Sequence, residues 1–132
     1  MNNAQSRIPL ALLTLRLGVF LVMLMWTLDK FVNPGHAAAV FENFYSIGNL
    51  GEATFYLIGI AELVLIVGFV IGYKKRLTYG AVFLLHGIST LSSYKQYLAP
   101  FDNLLFFAAW PMLAACFALY YLRDQDTRWT IK

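Results

Sequence analysis

Three ionisable residues lie inside long apolar segments of the sequence, where such residues are rare. Arg16, Glu62 and His86 lie about 12, 15 and 14 Å from the segment ends that we place on the cytoplasmic side below, counted along a helix. An unpaired charge at such a depth costs at least a few kcal/mol. The three residues therefore predict a midplane polar layer, in which Arg16 and Glu62 form a buried ion pair beside a titratable ring.

This layer has two interpretations, both of which the sequence leaves open. Polar groups inside a membrane often only hold neighbouring helices together by hydrogen bonds. Intramembrane ionisable groups are also candidates for binding a ligand or relaying a proton. Hydroxyl groups extend the layer outward, because Ser89, Thr90 and Ser93 lie within about 60° of His86 on a helical wheel.

The first apolar segment adds an aromatic ring and two further charges. Trp26 and Lys30 lie broadly on the same side as Arg16, and Asp29 is adjacent to them in sequence. Tryptophans such as Trp26, and Trp110 in the fourth segment, commonly pack within a membrane bundle or form an aromatic belt at the membrane interface. The alternative is that they form an aromatic wall for a flat ligand.

A quinone would suit such a site. Its ring and tail need an apolar slot, and its carbonyl oxygens need a hydrogen-bond donor and a proton acceptor nearby. His86 with Arg16 or Glu62 could supply both groups. The sequence therefore predicts a quinone as the candidate ligand.

Other chemistry has little support in the sequence. His36 follows Pro34 and Gly35 in an exposed loop, where a lone histidine is more often solvated than a metal ligand. The chain has no HxxH or HExxH spacing, so no zinc or haem site is indicated by motif. The single cysteine, Cys116, excludes an intramolecular disulfide and is expected to be a small packing residue. Whether the chain is an enzyme is left open.

The composition of the chain indicates the class of protein in which these residues lie. Of 132 residues, 60% are hydrophobic and 13% are charged, whereas a soluble domain carries about 25% charged residues. A soluble domain of this length could not bury so much apolar surface. The net charge of +3 comes from scattered residues and does not form a basic patch for nucleic acid. We therefore expect an integral membrane protein.

Four apolar segments, at about 8–32, 54–72, 77–94 and 103–122, are each long enough to cross a bilayer. The first superficially resembles a signal peptide, but it is too long and no small-residue cleavage site follows it. We expect it to remain as a membrane helix. The fold predicted is an all-α, single-domain, four-helix membrane bundle over residues 1–132.

Loop charges orient this bundle. With a cytoplasmic N-terminus, seven basic residues lie inside and only Lys30 and Lys95 lie outside, so the positive-inside rule places both termini in the cytoplasm. A bacterial inner membrane is the expected location. The seven inside residues are Arg7, Lys74, Lys75, Arg76, Arg123, Arg128 and Lys132.

The longest loop, residues 33–53, is then on the outside. Within it, apolar residues recur at helical spacing, which predicts a short amphipathic helix lying at the outer membrane interface. These residues are Ala37, Val40, Phe41, Phe44 and Tyr45.

Short motifs in the first two segments resemble those of the DoxX family of small four-helix membrane proteins. The motifs are Arg16-Leu17-Gly18, the stretch from Trp26 to Pro34 with its Lys30, and Glu62 with the glycines at 68 and 72. The resemblance implies a four-helix bundle, and some relatives are membrane subunits of sulfur-compound or thiol oxidation systems that deliver electrons to quinone. A neighbouring branch serves disulfide formation, for which the single cysteine is unsuited.

The leading hypothesis is therefore a quinone-interacting or redox-associated membrane subunit. The chain has no motif for an electron carrier of its own, so a partner would have to supply one. The alternatives are a non-catalytic accessory or assembly subunit of a larger membrane complex, and a small transporter or proton relay. The expected partners are the lipid bilayer and other membrane subunits or further copies of the chain, but not nucleic acid.

Overall fold

The computed structural model describes residues 3–131, and every regular element within them is helical. The all-α prediction is thus confirmed. Six α-helices occur, and three short 3-10 helices lie at 100–102, 104–108 and 123–125. The α-helices are α1 Asn3–Val32, α2 Pro34–Tyr45, α3 Glu52–Val70, α4 Lys75–Ser92, α5 Tyr94–Tyr97 and α6 Ala109–Tyr121.

The four long helices form a closed bundle. Both α1 and α4 pack against α3 and α6, so each long helix has two long neighbours. Within residues 3–131, three helical stretches, Asn3–Val32, Glu52–Val70 and Leu104–Tyr121, are long and apolar enough to cross a membrane. The third stretch begins as a 3-10 helix, because Pro111 has no N–H to donate to the Phe107 carbonyl in an α-helical bond.

The helix predicted in the longest loop is confirmed as α2. Pro34 occupies the first turn, where its missing N–H costs nothing, and Ser46 ends the helix in a left-handed conformation. Phe41 of α2 packs edge-on against Phe55 of α3, with ring centroids 5.2 Å apart. We call this the α2 end of the bundle.

The opposite end is formed by the α3–α4 turn and by residues 123–131, and we call it the tail end. The tail folds back onto the turn, where the Ile131 N–H donates to the Ile71 carbonyl at 2.9 Å. Gly72 has a φ of +69°, and a Cβ atom there would meet the Thr130 side chain. Glycine is therefore required at this turn for both its backbone conformation and its small size.

The fully buried apolar cluster lies in the half of the bundle nearest the tail end, with contributions from all four long helices. The other half is closed by a close approach of α1 and α3. A Cβ atom on Gly59 would lie 2.7 Å from the Phe31 ring, which stacks on Tyr56. The cluster consists of Leu12, Val19, Phe69, Tyr79, Val82, Cys116 and Leu119.

Candidate functional site

Arg16 pairs with a residue of the tail. Its Nη1 donates to the Asp126 carboxylate at 2.5 Å, and both side chains are completely buried. Its Nη2 donates to the Arg128 carbonyl at 2.6 Å. Tyr79 donates its hydroxyl to the other oxygen of Asp126, and Lys75 donates to the Asp126 carbonyl. We call these residues the tail cluster.

Glu62 pairs with Lys30, which lies 3.1 Å from its Oε1. Thr27, also completely buried, donates to Glu62 Oε2 at 3.1 Å. The prediction of an Arg16–Glu62 ion pair is therefore wrong. Thr27 lies about 16 Å further along α1 than Arg16, so the two ion pairs occupy different levels and do not form one polar layer.

His86 belongs to neither ion pair. Its Nε2 lies 3.0 Å from the Ala109 carbonyl, and because a carbonyl only accepts, this nitrogen is the donor. The bond links α4 to α6 across the bundle. The Arg16, Glu62 and His86 side chains thus have three separate sets of partners, and the structure does not bring them together.

The hydroxyl stripe on α4 is largely satisfied by its own backbone. Thr90 donates to the His86 carbonyl at 2.7 Å, and Ser93 donates to the Ser89 carbonyl at 3.4 Å. Trp110, placed here on α6, packs against the Tyr97 ring with centroids 5.4 Å apart. These residues stabilise α4 and its neighbours and do not line either of the depressions described below.

A different group forms a concave site at the α2 end. Asp29 Oδ2 lies 2.6 Å from Nδ1 of His36, and the His36 ring stacks on Trp26 with centroids 6.0 Å apart and planes inclined by 22°. With Met25 these residues line a shallow depression of about 220 Å³. Trp26 and Asp29 were predicted from the sequence, whereas His36 was interpreted as a solvated loop residue.

The position of His36 follows from the junction between α1 and α2. Asp29 lies in the last turn of α1, and Pro34 restarts the helix after Asn33, so His36 falls in the first turn of α2. The bend folds the ring back onto Asp29. A carboxylate followed by a helix-initiating proline and a histidine was the signal that could have indicated this pair.

This arrangement fixes the orientation of the imidazole. Because Asp29 accepts the Nδ1 proton, Nε2 is the nitrogen available to a ligand, and it has no hydrogen-bond partner within residues 3–131. Trp26 is 49% exposed, so an apolar ring face lies beside a polar group. The depression can therefore stack a flat ring and offer it one directed hydrogen bond.

The described residues do not offer a set of ligands for a metal ion. Across the described part of the chain, no group of three or more histidine, cysteine or acidic residues lies close enough to hold a metal ion. Cys116 is buried within the apolar cluster.

The sequence was compared with known proteins. No protein-family model matches it, and no curated protein or solved structure is significantly similar. The function is therefore inferred from the chain's own geometry.

Proposed function

We propose that this chain is a four-span protein of the bacterial inner membrane that binds the head group of a quinone or quinol. The observation that carries the proposal is the Asp29–His36 hydrogen bond beside the half-exposed ring of Trp26.

Burial supports a membrane environment, because several polar and charged side chains are buried inside the bundle while many large apolar side chains are exposed on its outside. In water the reverse distribution is expected. In a bilayer, polar and charged side chains are stable only when they face partners in the protein interior. The buried polar and charged residues are Arg16, Thr27, Lys30, Thr78, Thr90 and Asp126, whereas Leu57, Val64, Leu104 and Leu105 are among those at least 60% exposed.

The same distribution supports α4 as a fourth span, although it is more polar than the other three. Its hydrophilic residues Thr78 and Thr90 are buried. Every exposed position between 77 and 92 is a leucine or isoleucine. A helix with a polar inner face and an apolar outer face fits a lipid-facing position in a bundle.

The charge distribution supports the orientation. The tail end, where the α3–α4 turn packs against the tail, holds five of the chain's ten Lys and Arg residues: Lys74, Lys75, Arg76, Arg123 and Arg128. The positive-inside rule then places the tail end in the cytoplasm and the depression near the outer surface.

The surroundings of the depression suit a lipid-soluble ligand. Met25 is 52% exposed, and Leu21 and Val22 lie one turn before Met25 and Trp26 on α1, also exposed. These side chains offer an apolar surface to an isoprenoid tail. With its Nδ1 proton given to Asp29, His36 Nε2 would accept a hydrogen bond from a quinol hydroxyl while Trp26 packs against the ring.

The resemblance to the DoxX family adds a biological context to this proposal. The redox chemistry of a quinone or quinol needs an electron carrier, and the sequence has no motif for one. We therefore propose that electrons come from a protein partner in the membrane. The chain's own part is to bind the quinone and hold it at the outer surface.

The two histidines of the chain provide a matched test. His36→Gln should weaken binding of a water-soluble quinone analogue, added in its reduced quinol form, about tenfold, the effect of losing one hydrogen bond of about 1.4 kcal/mol. His86→Gln should leave binding unchanged, because His86 contacts α6 and not the depression. Binding is followed by titration of the purified protein in mild detergent.

If instead His86→Gln weakens binding and His36→Gln has no effect, the quinone site would lie near His86, in the middle of the bundle. No saturable binding to the parent protein would contradict the quinone proposal and favour an accessory subunit. Retention of the helical circular dichroism spectrum in both variants shows that the comparison is between folded proteins.

A further inference from the structure

A second depression lies at the tail end and is strongly basic. It has a volume of about 530 Å³ and is lined by Lys74, Lys75, Arg76 and Leu77. No carboxylate within residues 3–131 forms an ion pair with any of its three cations. The depression therefore presents uncompensated positive charge at the cytoplasmic surface proposed above.

The fold restrains the turn that carries these cations. Lys75 is tied to the tail by its bond to the Asp126 carbonyl, and Lys74 adopts a left-handed conformation with a φ of 47°. Lys74 also lies over the Tyr73 ring, 5.7 Å from its centroid. The basic groups thus belong to a constrained turn braced by the tail, and form a concave surface.

An apolar strip leads away from the depression along α4. Leu77, which lines the depression, is 67% exposed, and Leu84, Ile88 and Leu91 lie on the same helix face and are at least half exposed. The strip is about 21 Å long, whereas one leaflet of the hydrocarbon core is about 15 Å thick. Its length is therefore sufficient for an acyl chain.

We infer that this depression binds the phosphate of an anionic phospholipid, with an acyl chain lying along Leu77, Leu84, Ile88 and Leu91. The three cations are opposite in charge to the phosphate and can donate hydrogen bonds to its oxygens. The apolar strip distinguishes a lipid from free phosphate, which would gain nothing from it. The inference depends on the proposed membrane location but not on quinone binding.

The test compares lipid binding by two charge-matched double variants of the full chain. Lys74→Asn with Arg76→Gln removes two cations from the depression, and asparagine tolerates the left-handed conformation of Lys74. The control, Arg7→Gln with Arg128→Gln, removes two basic charges that do not line it. Binding of phosphatidylglycerol, phosphatidylcholine and inorganic phosphate is measured by native mass spectrometry and by thermal shift in detergent.

The parent protein should bind phosphatidylglycerol in preference to phosphatidylcholine and should not be stabilised by inorganic phosphate. A basic residue near an anionic lipid surface contributes about a factor of five, so the Lys74/Arg76 variant should bind phosphatidylglycerol about 25-fold more weakly. The control should lose clearly less, because its two charges do not line the depression. If the double variant does not fold, Arg76→Gln alone should give about a fivefold loss.

Three results would overturn the inference. Equal binding of the two lipids would remove the role of charge, and equal stabilisation by inorganic phosphate would identify a free-anion site. An equal loss in the control variant would indicate diffuse attraction to the basic surface. Because the Lys74/Arg76 variant leaves the α2 end intact, its quinone-analogue binding should match the parent, which separates failure here from failure of the proposed function.

Discussion

Arg16 and Asp126 are 110 positions apart in the sequence, yet they form a fully buried ion pair at 2.5 Å. The pair fastens the tail to the first helix. Tyr79 of α4 donates to the same carboxylate, so a single side chain of the tail is held by two helices. The path of residues 123–131 over the tail end depends on this contact.

The first prediction concerns the cost of breaking this pair. Arg16→Met or Asp126→Leu alone should destabilise the bundle by about 3–5 kcal/mol, because each leaves a buried charge without its partner. The double variant Arg16→Met with Asp126→Leu should be more stable than the sum of the two losses predicts. The measurement is unfolding in mixed detergent followed by circular dichroism. A double variant whose loss equals the sum of the single losses would argue against direct pairing.

The second prediction separates the two ion pairs. Arg16→Met and Glu62→Gln alter different clusters, so their effects on the free energy of unfolding should add within about 0.5 kcal/mol. Lys30→Met and Glu62→Gln, in contrast, should be non-additive. Their coupling should be smaller than that of Arg16 and Asp126, because Lys30 and Glu62 are 10% and 20% exposed. Non-additivity of Arg16 and Glu62 would restore the pairing expected from the sequence.

Sequence analysis predicted the four long helices and α2 because these depend on local properties. Each sequence signal lies within or beside the helix that it predicts, as the apolar segments, Pro34 and the basic α3–α4 turn do. The partners of Arg16 and Glu62 depend instead on how far one helix is displaced along another. The depths of Arg16, Glu62 and His86 were counted from the ends of their segments, and this count assumes that those ends lie in one plane.

The structure contradicts that assumption. Glu62 meets Thr27, and eight further residues of α3 reach Val70, so α3 ends at about the level of Val19, in the middle of α1. Arg16 is therefore near the tail end and within reach of Asp126. Hydropathy defines the length of each segment but carries no information about this displacement or about the path of the tail.

The third prediction tests the orientation of the bundle. Single cysteines at Asn49 and Gln125 are introduced in a Cys116→Ala background, and both positions are exposed. In intact cells a membrane-impermeant thiol reagent should label Asn49→Cys, and it should label Gln125→Cys only after the membrane is opened. Labelling in the opposite order would invert the topology and place the Trp26 depression in the cytoplasm.

The fourth prediction concerns the close approach of α1 and α3. Gly59→Ala should destabilise the bundle by about 1–3 kcal/mol, because the new methyl group would lie against the Phe31 ring. Gly18→Ala is the matched control, since nothing lies within 4 Å of its Cβ position. Alanine there should be neutral or stabilising, by up to about 1 kcal/mol. Equal destabilisation by both substitutions would show that helix packing at Gly59 is not the cause.

The last prediction asks whether Asp29 acts through His36. In the structure Asp29 touches the ring nitrogen Nδ1, on the opposite side of the imidazole from Nε2. It is therefore a positioning residue in the proposed quinone site. Asp29→Asn keeps an oxygen that accepts the Nδ1 proton but loses the charge that strengthens this bond.

Asp29→Asn should therefore weaken quinone-analogue binding by about two- to fivefold, less than the effect of His36→Gln. In a His36→Gln background the same substitution should have no further effect, because the ring that Asp29 orients is gone. Binding can be followed by quenching of tryptophan fluorescence, with Trp26→Phe used to identify the quenched residue. An equal loss in both backgrounds would mean that Asp29 contacts the ligand independently of His36, and the carboxylate would then have to be treated as part of the binding surface itself.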